Sequence, residues 1–92
     1  MNDGFKIKIS YFAKIKEIMK KGYDEIKIQN SKIKGKDVFE LAVNANKSVE
    51  KEIVILFDTC LIALNDNYIE REEDLILKNG DELSILPPIS AG

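Results

Sequence analysis

Residues 5–12 alternate without a break: Phe5, Ile7, Ile9 and Tyr11 fall on one side, Lys6, Lys8 and Ser10 on the other. A period of two is the mark of a strand, and the lysines mean that one face of its sheet meets water. Such a sheet is covered on one side only and needs helices to close that side. Two residues on, the period changes. Ile15, Ile18 and Met19 are spaced three and four apart among Lys14, Lys16, Glu17, Lys20 and Lys21, which predicts a short amphipathic helix. Gly22 is placed for its left-handed C-terminal cap. Alternation then returns through Ile26 and Ile28, predicting a second strand over residues 23–29 that pairs antiparallel with the first.

Residues 30–35 read as a polar connection. From Asp37 the helical period resumes, with Val38, Leu41, Ala42 and Ala45 along one side and Asp37 in the first turn, where an acid suits the helix dipole. This predicts the main helix, ending near Asn46. Residues 48–57 read two ways: Val49, Glu50, Lys51 and Glu52 resemble a helix start, while residues 53–57 have strand-like composition. A short helix or turn is the preferred reading. The apolar run 60–64 predicts a strand buried on both faces, turned by Asn65, Asp66 and Asn67 into a short partner at Tyr68 and Ile69. An acidic loop of Glu70, Arg71, Glu72, Glu73 and Asp74 leads to Leu75 and Leu77. Asn79 and Gly80 make a turn before the last strand, residues 82–86, which Pro87 and Pro88 stop by withholding donors.

The expected fold is α+β, with one main helix packed on one face of a mixed sheet and covering Ile7, Ile9, Ile26, Ile28 and Ile85. A last strand lying parallel beside the first would make it a β-grasp.

At 92 residues, 45% apolar and 33% charged, the chain is expected to be one globular domain, residues 1–92. A net charge of −2 gives no support to nucleic-acid binding, and no apolar run approaches the length of a membrane span. The N-terminus has no signal-peptide character, and a single cysteine fits a reducing, cytoplasmic setting. Cys60 lies in an apolar stretch, where a cysteine is more often a small core residue than a sulfur-transfer thiol. Likewise, Lys16 reads as a solvated helix lysine and the acidic cluster as a solvated loop. The chain has no histidine and no metal-ligand cluster. Its best seat for chemistry is therefore the carboxylate of Gly92, at the end of a tail, residues 87–92, expected to be flexible and thin.

Three stretches carry a family resemblance that spans nearly the whole chain. They are residues 11–17 (Tyr-Phe-Ala-Lys-Ile-Lys-Glu), residues 63–69 (Ala-Leu-Asn-Asp-Asn-Tyr-Ile) and residues 79–90, where Asn-Gly-Asp-Glu opens a strand that closes on Pro-Pro-Ile-Ser. The chain resembles the small, sulfur-carrying subunits of molybdopterin synthase, which are ubiquitin-like β-grasp proteins. The resemblance implies that an E1-like enzyme adenylates the Gly92 carboxylate with ATP and that a sulfur donor protein then converts it to a thiocarboxylate. The tail would enter the active site of a large catalytic subunit and give its sulfur to a pterin precursor in molybdenum cofactor biosynthesis. It implies no stably bound cofactor, and no nucleic-acid or membrane partner. The chain would be the sulfur-donating part of a heteromeric sulfurtransferase, with no catalytic side chains of its own.

Residue chemistry agrees with that role. An α-carboxylate is an anion at neutral pH and a poor electrophile, so activation as an acyl-adenylate supplies the leaving group that a sulfur nucleophile needs. Ile89, Ser90 and Ala91 lie between the prolines and Gly92, and the small side chains of Ser90, Ala91 and Gly92 keep the end of the tail thin. Pro87 and Pro88 stiffen its base, which lowers the entropy lost on threading a channel. Phe12 and Leu86 follow the core-facing Tyr11 and Ile85, so both fall on the opposite face, where a shared apolar patch would mark an interface. The family ends in two glycines, and this chain has Ala91 in the penultimate place. The alternatives are a carrier for thiamin or tRNA thiolation, a protein modifier in the manner of ubiquitin, and a β-grasp binding module without terminal chemistry.

Overall fold

The computed structural model of the chain describes residues 4–88. Strand β1 (Phe5–Tyr11) forms as its alternation requires, and helix α1 (Ala13–Met19) follows at once. Then come β2 (Tyr23–Ile28), β3 (Lys32–Lys34), α2 (Asp37–Asn44), a 3₁₀ turn at Lys47–Val49, and α3 (Glu50–Phe57). The chain continues with β4 (Leu61–Leu64), β5 (Asn67–Ile69), β6 (Asp74–Ile76) and β7 (Glu82–Leu86). Five strands make one mixed sheet in the order β2-β1-β7-β4-β5, in which only the β1–β7 pair is parallel. The first and last strands lie side by side at the centre, the arrangement expected of a β-grasp.

The helices cover one face of this sheet. Ile7, Ile9 and Tyr11 from β1, Ile62 from β4, and Leu83 and Ile85 from β7 are buried with Ile15 of α1, Val38 and Ala42 of α2, and Ile53 of α3. Each buried isoleucine, leucine or valine among them contributes about 1.5–3 kcal/mol of burial free energy. Phe39 of α2 meets Phe57 of α3 with ring centroids 5.0 Å apart.

A polar network sits within this layer. The register places Asp24 opposite Ile9, on the helix side of the sheet. Tyr11 Oη donates to Asp24 Oδ2 at 2.7 Å, and Asn46 Nδ2 donates to the same oxygen at 2.8 Å and to the Ala42 carbonyl at 2.9 Å. Lys21 Nζ lies 2.8 Å from Asp24 Oδ1. Burial alone would raise the Asp24 pKa, but these donors and the Lys21 charge outweigh it and hold it below the usual carboxylate value. The same burial, with the Asp24 charge beside it, drives the Tyr11 phenol well above its usual value.

Several local expectations need correction. The left-handed residue after α1 is Lys20 (φ 61°), not Gly22, because Gly22 is drawn into the strand connection, where its carbonyl accepts from Tyr11 N at 2.8 Å. The polar stretch 30–35 contains β3, whose partner β6 lies some forty residues away at the end of the acidic loop. Helix α2 stops at Asn44; Phe39 faces the core in place of Ala45, which is exposed. Among the described residues the helical layer is built from α1, α2 and α3, as predicted, but Ile26, expected beneath it, is only half-buried. The ambiguous residues 48–57 are helical, as preferred. Strand β4 begins at Leu61 and is not buried on both faces, since Leu61 is exposed. Asn65 (φ 48°) and Asp66 (φ 74°) make the two-residue hairpin turn, both in the left-handed region that such a turn demands.

The acidic loop is tied down rather than merely solvated. Arg71 Nη2 donates to the carbonyls of Phe57, Asp58 and Cys60 at 2.6, 3.1 and 3.1 Å, satisfying the C-terminal end of α3. Its guanidinium also lies 4.4 Å from the Phe39 ring centroid. Glu72 and Asp74 pair with Lys36 and Lys34 at 3.3 and 3.0 Å.

Candidate functional site

Among the described residues no helix covers the second face of the sheet, which is graded from charged to apolar towards the end of β7. Its first row holds Glu25, Lys8 and Glu82, by register across β2, β1 and β7. The next row runs Tyr23, Ser10, Ser84, Ala63 and Tyr68 across all five strands, small residues between two exposed tyrosines. Beyond it, Leu61 stands opposite Leu86. Tyr11 pairs with Ile85, so Phe12, just past the end of β1, and Leu86 of β7 are the next residues, both turned away from the core. Phe12 is extended (φ −135°, ψ 156°) and 42% exposed, Leu61 is 43% exposed and Leu86 is half-buried.

The sharp turn after Phe12 depends on Ala13, which takes φ 53° and starts α1 directly. Phe12 thus remains on the bare face while Ile15, three residues later, enters the core. On the same face Ser10 Oγ donates to Glu82 Oε2 at 2.7 Å, and the Lys8 ammonium lies 4.5 Å from the centroid of the Tyr23 ring. These contacts satisfy the polar groups beside the apolar end.

The strand stops where its donors run out. Leu86 is the last ladder residue, Pro87 is half-buried and Pro88 is exposed. The structure therefore brings Phe12, Leu86 and Pro87 to one end of the sheet, at the base of the tail. Ile89, Ser90, Ala91 and Gly92 lie outside the described residues. Leu61 and Tyr68 belong to this face and were not singled out from sequence. Strand alternation in β4 could have flagged Leu61, but only once its pairing with β7 was known.

Cys60 is buried, its thiol 3.2 Å from the Leu56 carbonyl, and burial raises its pKa against the opposing Arg71 charge. A thiol held protonated in this way is a poor nucleophile. Lys16 is exposed on α1. Among the described residues no group of three or more His, Cys, Asp or Glu side chains is placed to hold a metal ion, and no helix is long and apolar enough to cross a membrane.

Comparison with known proteins gives a consistent picture. The model of the ThiS family matches residues 9–92. A molybdopterin synthase sulfur carrier subunit from Dictyostelium discoideum is 34% identical over 92 residues, covering 100% of both chains. Among solved structures, Haloferax volcanii small archaeal modifier protein 1 superposes with a TM-score of 0.73 at 20% identity, over 94% of this chain and 100% of that one. A chain in the complex of subunits 1 and 2 of the molybdopterin-converting factor from Helicobacter pylori superposes with a TM-score of 0.62 at 23% identity, over 96% of this chain and 100% of that one. At such identities the two structures speak for the fold, which is the ubiquitin-like β-grasp.

Proposed function

The chain belongs to the ThiS family, and from that premise we propose that it works as the sulfur-carrier subunit of a molybdopterin synthase. The observation that carries this reading is the end-to-end match to a relative of that description, 34% identical over 100% of both chains. The bare sheet face fits it. Phe12, Leu61 and Leu86 form an apolar end from which Pro87 and Pro88 lead the chain away, so a partner seated there is positioned to receive the tail.

The partner on that face is the large catalytic subunit of the synthase, in keeping with the two-subunit complex named for the Helicobacter pylori structure. Gly92 is the reacting residue. An E1-like enzyme transfers AMP from ATP to its carboxylate and releases pyrophosphate, giving an acyl-adenylate. The terminal sulfur of a persulfide on the sulfur donor protein then attacks the activated carbonyl, and AMP leaves. A second thiol attacks the inner sulfur of the resulting acyl disulfide, forming a disulfide on the donor side and releasing the thiocarboxylate. In the large subunit the thiocarboxylate sulfur attacks a carbon of the pterin precursor and displaces an oxygen leaving group from it. Hydrolysis of the resulting thioester restores the carboxylate while the sulfur stays on the pterin. The carrier itself holds no cofactor, and ATP belongs to the activating enzyme. Ile89 belongs with Leu86, Pro87 and Pro88 to the interface and stiff base, and Ser90 and Ala91 form the thin section that threads both active sites. A cytoplasmic location belongs to the same proposal.

The test is intact mass spectrometry of the chain after co-expression with an E1-like enzyme and a sulfur source. The expected product has one terminal oxygen replaced by sulfur. An unmodified terminus in the presence of active enzyme would sink the reading. Removing Gly92 should abolish sulfur transfer and leave the fold intact, whereas a binding module without terminal chemistry would be indifferent. A carrier for thiamin or tRNA thiolation would form the thiocarboxylate but fail to supply a large synthase subunit, and a protein modifier would leave adducts on target lysines.

A further inference from the structure

Helix α3 (Glu50–Phe57) turns Ile53 and Phe57 into the core. On its other side lie Lys51, Val54 and Ile55, and the capping residue Asp58 continues the same line. At about 100° per residue these four positions fall within a ~100° arc, the i, i+3, i+4, i+7 stripe by which one helix packs on another. Here the stripe meets solvent. Val54 is 48% exposed and Ile55 is 75% exposed. Single exposed apolar residues are ordinary, but two adjacent β-branched ones on a helix are disfavoured by helix propensity and gain nothing from water.

The charges flanking the pair point to the occupant. Lys51 is one step before the apolar pair and Asp58 one step after it, and neither side chain has a hydrogen-bond or ion-pair partner among the described residues. The neighbouring Lys47 is already engaged, with Nζ 3.9 Å from Glu50 Oε1. If a second α3 is laid antiparallel across the first, centred between residues 54 and 55, each Lys51 faces the other copy's Asp58 and each Val54 faces the other copy's Ile55. The stripe is therefore complementary to itself under a two-fold axis, the commonest symmetry of soluble oligomers. A shallow concavity lined by Lys51, Val54 and Ile55, among others, runs beside the helix and gives the incoming isoleucine a seat.

We propose that the chain self-associates through α3, as a reversible two-fold dimer of antiparallel helices. Because the contact spans only about two helical turns, it buries less than ~1,000 Å² and belongs to the weak, transient class. The stripe lies on the far side of the helical layer from the bare sheet face. Both copies thus keep Phe12, Leu61 and Leu86 open, and the dimer does not depend on the function proposed above.

Sedimentation velocity of the full chain over a concentration series tests this. The expected result is a monomer–dimer equilibrium in the upper micromolar range. Ile55→Glu should remove the dimer, with an unchanged thermal melt showing that the monomer is folded. Lys51→Glu and Asp58→Lys should each weaken it about tenfold, since each reversal places like charges in two symmetry-related pairs. The double variant should restore it. A chain that stays monomeric at every concentration would overturn the proposal, as would a dimer that ignores these charge reversals or a double variant that fails to recover. Protection of residues 51–58 from hydrogen exchange only on addition of a large synthase subunit would place that subunit on the stripe and equally overturn it.

Discussion

Leu61 stands directly opposite Leu86 across the β4–β7 ladder, on the face of the sheet that no helix covers. One strand comes from the middle of the chain and the other from its end, and their pairing extends the apolar patch begun by Phe12. The patch lies where the last strand gives way to Pro87 and Pro88, which ties the docking surface to the tail it would deliver.

Leu61→Glu is therefore expected to weaken binding to a large synthase subunit by roughly 2 kcal/mol, about thirtyfold. Since Leu61 is exposed, the same change should alter folding stability by less than about 1 kcal/mol. Isothermal titration against the large subunit and chemical denaturation of the free carrier separate the two effects. Equal affinity for wild type and variant would remove Leu61 from the interface.

Tyr11→Phe removes one donor from a half-buried carboxylate. Asp24 Oδ2 would keep only its 2.8 Å bond from Asn46, and the expected cost is about 1–3 kcal/mol in urea unfolding. Asn46→Ala should cost a similar amount, and the double variant less than the sum, because both side chains act on one oxygen. Additive costs would show that the three residues do not act as a network.

Asp81 gives the fold an acid-sensitive tie. Its Oδ1 accepts from Asn65 Nδ2 at 3.0 Å and its Oδ2 from Lys78 N at 2.9 Å, joining the β4–β5 turn to the start of β7. Burial would raise its pKa, but these two donors and the Lys78 charge more than offset that, leaving it below the usual value. With the folded value below the unfolded one, the unfolded chain takes up the proton first. The stabilisation is fully present above the unfolded pKa of ~4 and is lost as pH falls through the folded value. Asp81→Asn should flatten the acid limb of a stability-against-pH curve. An unchanged slope below pH ~4 would refute the assignment.

Two glycines should respond to alanine for different reasons. A Cβ on Gly35 would fall on the Glu70 carbonyl oxygen and crowd Arg71 Cα at 3.3 Å, against the backbone of the strapped acidic loop. Gly35→Ala is expected to cost about 1–3 kcal/mol through overpacking. Gly80 has open space around it but φ 90°, so Gly80→Ala should cost about 1 kcal/mol from backbone conformation alone. Thermal or urea unfolding ranks the two, and the reverse order would contradict this account.

Some of this molecule could be read directly from residue order. The alternation of Phe5, Ile7, Ile9 and Tyr11 against Lys6, Lys8 and Ser10 is a local property, and it survives as β1 with one face covered and one bare. The bounds of β7 follow from Gly80 before it and Pro87 after it, and the Asn65–Asp66 turn from side chains that tolerate positive φ. Each depends on neighbours a few residues apart, where steric limits and hydrogen-bond supply act without reference to the rest of the chain. The pairing of β3 with β6, the outward turn of Leu61, the inward place of Asp24 and the carbonyl-capping role of Arg71 have no such local cause. A three-residue strand has too short a period to announce itself, and a one-residue change in register would exchange the two faces of β4. Only when the core closes over Ile53, Ile62 and Ile85 is one register selected, because it alone buries the apolar set on a single side. That long-range choice places Phe12, Leu61 and Leu86 together beside the tail.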